Sequence, residues 1–489
     1  MELLTNTVQP YAWGSTTAIA AIRGEDPPGG PEAELWVGAH PKAPSLVQRD
    51  GVERPLDAVV AADPVGELGS DAASRFGRFP FLLKILAAAS PLSLQVHPSP
   101  AQARDGFAAE TAAGVALDAP GRNYRDDWPK PEIAVALTTF RVLAGFRAVE
   151  DSLPVLRALA VAAGAGPEGG ATASVTASGS ASASASATAD PAGPSSDTGG
   201  APATAVDLLT RLIEALAGAT DPAGALAAAV RTVLDVPADR RAPVAGAIRR
   251  SAAGALAASP EKVADRVADR VADDLAFTLE LLGSFPDDPS VLCALLLNRI
   301  VLAPGEAVYN PAGTLHAYLE GTAVELMASS DNVLRGGLTT KHVDPAALLA
   351  VLDATPRPPA VVAARALSEH EWLYPTPTPW FSLSRVELAD GERVPLAGPP
   401  AAAAEPSDPS SPTGAPSAVD GPELLLCVHG SATVSTVAGQ VALRSGQAAY
   451  VRAGEGVVTA VGTPTATIFR ARVGTEVDTG HDTDHDTGT

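Results

Sequence analysis

At 489 residues with 46% hydrophobic side chains, the chain is long enough for more than one domain and can bury a core in each. Its formal net charge of -22, from 56 acidic against 34 basic residues, argues against a nucleic-acid or anionic-membrane surface. Any anionic ligand would need a local positive pocket inside a negative envelope.

The start of the chain, "MELLTNTVQPYAWGS", lacks a basic segment followed by a sustained apolar run. No secretory signal is therefore visible, and the expected location is the cytoplasm. Two cysteines, Cys293 and Cys427, make neither a disulfide framework nor a structural zinc cluster. The longest apolar run, "VLCALLLNRIVLA", is interrupted by Asn298 and Arg299 and is too short to cross a bilayer.

In chain order, residues 1–150 read as the first part of a β-rich catalytic domain. Within them, "SPLSLQVHPSP" sets Gln95 and His97 two positions apart in an apolar run. Side chains two apart on a strand share a face, so an amide oxygen and an imidazole nitrogen would meet a common target such as a metal ion, with Ser93 beside them. "WPKPEIAVAL" then puts Glu132, just after Lys130 and Pro131, at the mouth of an apolar strand. Residues 164–204 are Ala, Ser, Thr, Gly and Pro with almost no large apolar side chain, a linker or insertion that cannot offset its ordering entropy.

Residues 205–285 read as a helical domain. Val263, Val267, Val271 and Leu275 recur every fourth position with Asp and Arg between them, which predicts an amphipathic helix. Residues 286–350 return to β structure as the second part of the catalytic domain, with "PGE" and "PAG" turns and with His316, Tyr318 and Glu320 alternating along a strand. Residues 360–474 form a C-terminal β domain interrupted by a low-complexity stretch at 397–422. The acidic tail, 475–489, is expected to be disordered, and its His481 and His485 are given no role. The fold expected is mainly β with a helical module: a jelly-roll-like β domain in two parts, an inserted α-helical domain, and a second jelly-roll-like β domain.

Gln95, His97, Glu132 and His316 together offer two imidazoles, one carboxylate and one amide oxygen. Such a set suits a catalytic zinc with an open position, and two His with one carboxylate also suit non-haem iron. Composition does not choose between them. His40, His342 and His429 are read as structural, Trp13 and Trp36 as shaping a cleft, and Glu34 stays outside the catalytic set.

Several longer motifs stand in register along the chain: "YAWGS", "AELWVGAHP", "FPFLLKIL", "PLSLQVHP", "KPE", "PGEAVYNPAGTLHAYLEG" and "ELMASSDNVLRGGLTTKHVD". Together they resemble type I mannose-6-phosphate isomerase over residues 1–147 and 288–344, with weaker similarity in the C-terminal β region. The resemblance implies that the first jelly-roll domain is a cupin catalytic domain, with one Zn2+ per chain on Gln95, His97, Glu132 and His316 and with Arg335 as the active-site arginine. It also implies a small sugar phosphate as the partner, interconverted between aldose and ketose by a monomer or weak homo-oligomer. One departure stands out: the family usually has a His before "KPE", and here Pro129 takes that place. A role of that His cannot be carried over.

The isomerisation needs a base near C1 and C2, and Lys130, Glu325 or a metal-bound water could serve. For the phosphate, Arg335 offers a planar fork of donors, Lys84 and Lys341 point charges, and Ser93 a hydroxyl; Tyr318 is grouped with them as a substrate contact. Two other functions fit the same residues. One is a cupin-type metal oxygenase, and the other is a non-catalytic sugar-phosphate binder on an isomerase scaffold.

Overall fold

The computed structural model describes residues 1–165, 204–258, 266–396 and 421–475. The low-complexity segments read at 164–204 and 397–422, the tail from 475, and Val263 of the predicted helix lie largely or wholly outside them.

Two large antiparallel sheets carry the fold. The first has eleven strands among the described residues, seven of them in the order Val361–Val362, Ala307–Asn310, Glu132–Ala136, His316–Ala328, Phe81–Ala88, Glu34–Gly38 and Thr7–Gln9. Leu94–Val96, Phe140–Phe146, Leu297–Leu302 and Leu334–Gly337 pair off that path. The second sheet has nine strands and is built around the long neighbours Glu423–Thr436 and Thr459–Arg472.

His316–Ala328 is the strand on which the first sheet turns. Its C-terminal half pairs with Phe81–Ala88 on one side and Glu132–Ala136 on the other, while its N-terminal half pairs with Phe140–Phe146 and, at His316, with Gln95. The change of partner needs a kink, and Gly321 supplies it with φ 114°. A Cβ there would stand 2.4 Å from the carbonyl oxygen of Thr139, so only glycine fits.

Strand parity then sorts side chains between core and cleft. Phe81, Leu83, Ile85 and Ala87 join Ile133, Val135, Val324 and Leu326 in a core shared with Leu424, Leu426, Tyr450 and Phe469 of the second sheet. Each such buried side chain contributes about 2 kcal/mol. The intervening positions, Lys84, Glu132 and Glu325, therefore point the other way. The same rule acts on Leu94–Val96, whose outer residues pack on the helices while Gln95 faces the cleft.

The helical layer comprises Val149–Ala163, Ala205–Leu216, Pro222–Leu234, Ala238–Ala258 and Arg266–Ser284. Side-chain caps start two of these helices, with Thr204 accepting from the Asp207 amide and Asp221 from that of Gly224. Helix Arg266–Ser284 buries Leu275, Phe277, Leu281 and Leu282, whereas Val267 is 47% exposed. A four-residue step overshoots the 3.6-residue turn by about 40°, so a stripe at that spacing winds off the buried face.

Three elements show how distant parts of the chain are joined. Helix Val149–Ala163, just before the first low-complexity segment, packs with the helices that follow it because Val155, Leu156 and Leu159 belong to their core. Val361–Val362 extends the first sheet by pairing with Ala307–Asn310. Strand Glu2–Leu4 lies in the second sheet, paired with Ala448–Val451. Backbone pairing across hundreds of residues leaves no local mark in a three-residue strand.

Candidate active site

His97, Glu132 and His316 come from three strands or strand ends, and each is at most 1% exposed. Behind each imidazole stands a backbone carbonyl: His97 Nδ1 lies 2.7 Å from the oxygen of Asn332, and His316 Nδ1 lies 2.9 Å from that of Thr314. A carbonyl only accepts, so Nδ1 carries a hydrogen in both rings, which leaves each Nε2 as the atom that can ligate.

Both Nε2 atoms converge on a carboxylate. His97 Nε2 is 3.4 Å from Glu132 Oε2, and His316 Nε2 is 2.8 Å from Glu132 Oε1. His316 Nε2 is buried and makes no hydrogen bond. One ligand atom from each of the three residues lies within 4.8 Å of the others. A donor set of two imidazoles and one carboxylate fits a divalent cation such as zinc.

Electrostatics keep the set ready. Burial, together with the Lys130 ammonium, pushes His97 down to about 4, so the ring is neutral. Burial alone would raise Glu132, but its neighbours, the Lys130 ammonium first among them, hold it well below the usual carboxylate range. Lys130 Nζ donates to Glu132 Oε2 at 3.0 Å and lies 3.4 Å from His97 Nε2. On the other carboxylate oxygen, Tyr318 Oη donates at 3.0 Å and Asn310 Nδ2 at 3.5 Å.

Above this cluster opens a cleft of about 610 Å³. Gln95, Lys84, Ser93, Lys130, Tyr318, Glu325, Arg335 and Lys341 all line it, so every residue singled out from the sequence meets at one place or directly beneath it. Their surroundings differ from one to the next. Lys84 is 5% exposed and donates to Glu325 at 2.8 Å, with Glu34 3.5 Å away. Burial opposes its charge, but Glu325 and Glu34 outweigh that and raise its affinity for the proton, while burial raises Glu325 in turn. The Tyr318 hydroxyl is committed to Glu132 and Asn310.

Arg335 and Lys341 form the positive side. Burial and Arg125 lower Arg335, and burial with Arg335 and Lys42 lowers Lys341. Two cations pressed together and partly desolvated make a place that an anion relieves. Pro129 is buried and brings no ionisable group to the cleft.

Sequence reasoning missed several neighbours. Asn310 supports Glu132 and Tyr318, and Ser284 and Phe285 close the cleft from the helical layer; Glu34, which the sequence reading kept outside the catalytic set, lines the cleft, flanks Lys84 and accepts from Trp36 Nε1 at 2.7 Å. Asn310 precedes a Pro-Ala-Gly turn, where asparagine is common for local reasons. The register Asn310↔Glu132 is what gives it another part.

Comparison with known proteins agrees with this geometry. The family model for the phosphomannose isomerase type I catalytic domain matches residues 1–149. Mannose-6-phosphate isomerase of Escherichia coli (strain K12) is 33% identical over 470 residues, covering 94% of this chain and 97% of its own length. The chain belongs to the type I phosphomannose isomerase family. The mannose-6-phosphate isomerase of Rattus norvegicus is 28% identical over 490 residues, 96% of this chain and 97% of that one. Among solved structures, a variant of phosphomannose isomerase from Salmonella typhimurium matches with a TM-score of 0.73 at 29% identity, covering 97% of this chain and 100% of that chain. A zinc-bound holo structure of mannose 6-phosphate isomerase matches with a TM-score of 0.72 at 29% identity. The fold is thus the sheet-rich fold of phosphomannose isomerases.

Proposed function

We propose that this chain is a zinc-dependent isomerase that interconverts mannose 6-phosphate and fructose 6-phosphate. The observation that carries the reading is the convergence of two imidazole nitrogens and the Glu132 carboxylate beneath a cleft whose wall holds Arg335 and Lys341. Family membership and the zinc in related structures support it over an oxygenase or a non-catalytic binder.

In this reading one zinc per chain is held by His97, Glu132 and His316, with Gln95 as fourth ligand from the neighbouring strand position. When bound, it supplies Lewis acidity to the sugar oxygens, a contribution of several kcal/mol. Arg335, Lys341 and Ser93 bind the phosphate and so fix the position of C1 and C2. A base removes the C2 proton of the open-chain aldose and returns a proton to C1 through the enediol, with the O2 hydrogen ending on O1. Lys130 and the Glu325–Lys84 pair face the cleft for that transfer, and Tyr318 steadies Glu132 rather than gripping phosphate. No part is assigned to Pro129.

The expected architecture is a cupin-type catalytic domain in two parts, a helical domain beginning at Val149, and a C-terminal β domain that recruits the first strand. No helix among the described residues is long and apolar enough to cross a membrane. A cytoplasmic monomer or weak homo-oligomer, free of nucleic acid and membrane, completes the reading.

A coupled assay on mannose 6-phosphate tests it before chelation, after chelation and after zinc is added back. Chelator-sensitive turnover restored by zinc is expected; a folded, zinc-loaded sample without turnover would sink the proposal. In the same assay Arg335→Ala lowers turnover by about a hundredfold or more while zinc stays near one per chain, whereas His316→Ala strips the zinc.

A further inference from the structure

We infer that Asn332 is a positioning residue for the metal centre, its side-chain amide fixing the backbone carbonyl that orients His97. The inference rests on the zinc reading above. Asn332 is fully buried, and its carbonyl oxygen receives the His97 Nδ1 hydrogen at 2.7 Å. That bond keeps the Nε2 lone pair facing Glu132 and His316.

The side chain of Asn332 spends all its hydrogen-bonding capacity on one short segment. Its Oδ1 accepts from the amides of Arg125 at 2.6 Å and Asp126 at 3.3 Å. Its Nδ2 donates to the carbonyls of Asp126 and Trp128, each at 2.8 Å. Ser330 ties the same two strands of chain, donating to Asp126 Oδ1 at 2.8 Å and accepting from the Asn332 amide at 3.2 Å.

The segment so gripped runs directly into Lys130 and Glu132. Asn332 therefore links the backbone before one ligand to the carbonyl behind another, and Arg335 follows three residues later in the same chain. A buried asparagine that only filled space would need some of these bonds, but it would not need its own carbonyl on a ligand ring. Without the amide, the carbonyl loses its anchor and the His97 ring can move its hydrogen to Nε2, where it blocks ligation.

The test uses the full chain and reads zinc affinity by competition with a fluorescent chelator, alongside the visible absorption of the cobalt-substituted protein. Asn332→Ala should weaken zinc binding by about 10- to 100-fold and alter the cobalt spectrum. Asn332→Asp keeps the shape and the acceptor but loses both donated bonds; it should weaken binding in the same direction, and it decides the matter if the alanine variant does not fold. Ser384→Ala, buried in the second sheet, controls for general loosening and should leave both readouts unchanged. Wild-type affinity and spectrum in both Asn332 variants, or an equal loss in Ser384→Ala, would overturn the inference. A wild-type chain that takes up no zinc would instead remove the metal reading itself.

Discussion

His97 illustrates how a single residue couples the site to stability. Burial pushes its imidazole from 6.5 down to about 4, so the folded chain refuses a proton that the unfolded chain accepts. The sign follows: above pH 6.5 both states are neutral there, and as pH falls from 6.5 toward 4 the unfolded state alone gains the proton. Stability of the metal-stripped protein therefore falls through that window, by up to about 3 kcal/mol from this ring. His40, also pushed down to about 4 by burial, adds to the same slope. Urea unfolding of metal-stripped protein between about pH 7 and about pH 5 should show the midpoint dropping, and His97→Gln should flatten part of the drop. A midpoint independent of pH in both proteins would show that His97 titrates normally in the fold.

At the scale of elements, the helix Arg266–Ser284 bears on the cleft through a buried ion pair. Asp274 is 3% exposed, lies 3.0 Å from Arg147 Nη2 and 3.2 Å from Arg299 Nη2, and so clamps the helix to the first sheet. Ser284 at the end of that helix, and Phe285 after it, line the cleft. Asp274→Ala leaves two arginine charges without their carboxylate and should cost about 3 kcal/mol in urea unfolding. It should also raise KM for the sugar phosphate more than it lowers kcat, because the displaced wall touches the cleft and none of the ligands. An unchanged KM would separate the clamp from the site. The helix itself was legible in the sequence, although the four-residue stripe that marked it winds off the face that Leu275, Phe277, Leu281 and Leu282 bury. Asp274 was not, because one acid among the charged residues of "RVADRVADDL" becomes a clamp only once two sheet arginines arrive. The contrast recurs in the site. Gln95 and His97 are visible from strand alternation, and Glu132 and His316 from apolar runs beside turns. Asn310 and Asn332 act through register and backbone carbonyls, which composition does not display.

Over the whole molecule, the two sheets are joined by more than the core between them. The first strand, Glu2–Leu4, crosses to the second sheet and the N-terminal ammonium meets Glu455 at 2.5 Å. Arg49 binds this crossing in place, donating to Glu2 at 2.9 and 2.7 Å and to Glu67 at 2.6 and 2.9 Å. Glu67 is 3% exposed and also accepts from Tyr450 Oη at 3.0 Å, so one bidentate guanidinium spans residues from the start of the chain, the first helices and the last sheet. Arg49→Ala leaves Glu67 buried beside the Tyr450 hydroxyl with its cation gone. The expected cost is about 2 to 4 kcal/mol, discounted toward the lower figure because Arg49 keeps a quarter of its side chain in solvent. The metal centre lies on the opposite side of strand Phe81–Ala88 from this junction, by the same parity that sends Lys84 inward. Zinc affinity and turnover below the unfolding temperature should therefore stay within about twofold of wild type. Calorimetry and zinc titration on one sample decide it: a lowered transition with unchanged affinity places the cost at the junction between sheets, and a parallel fall in affinity would show that the second sheet holds the metal centre in shape.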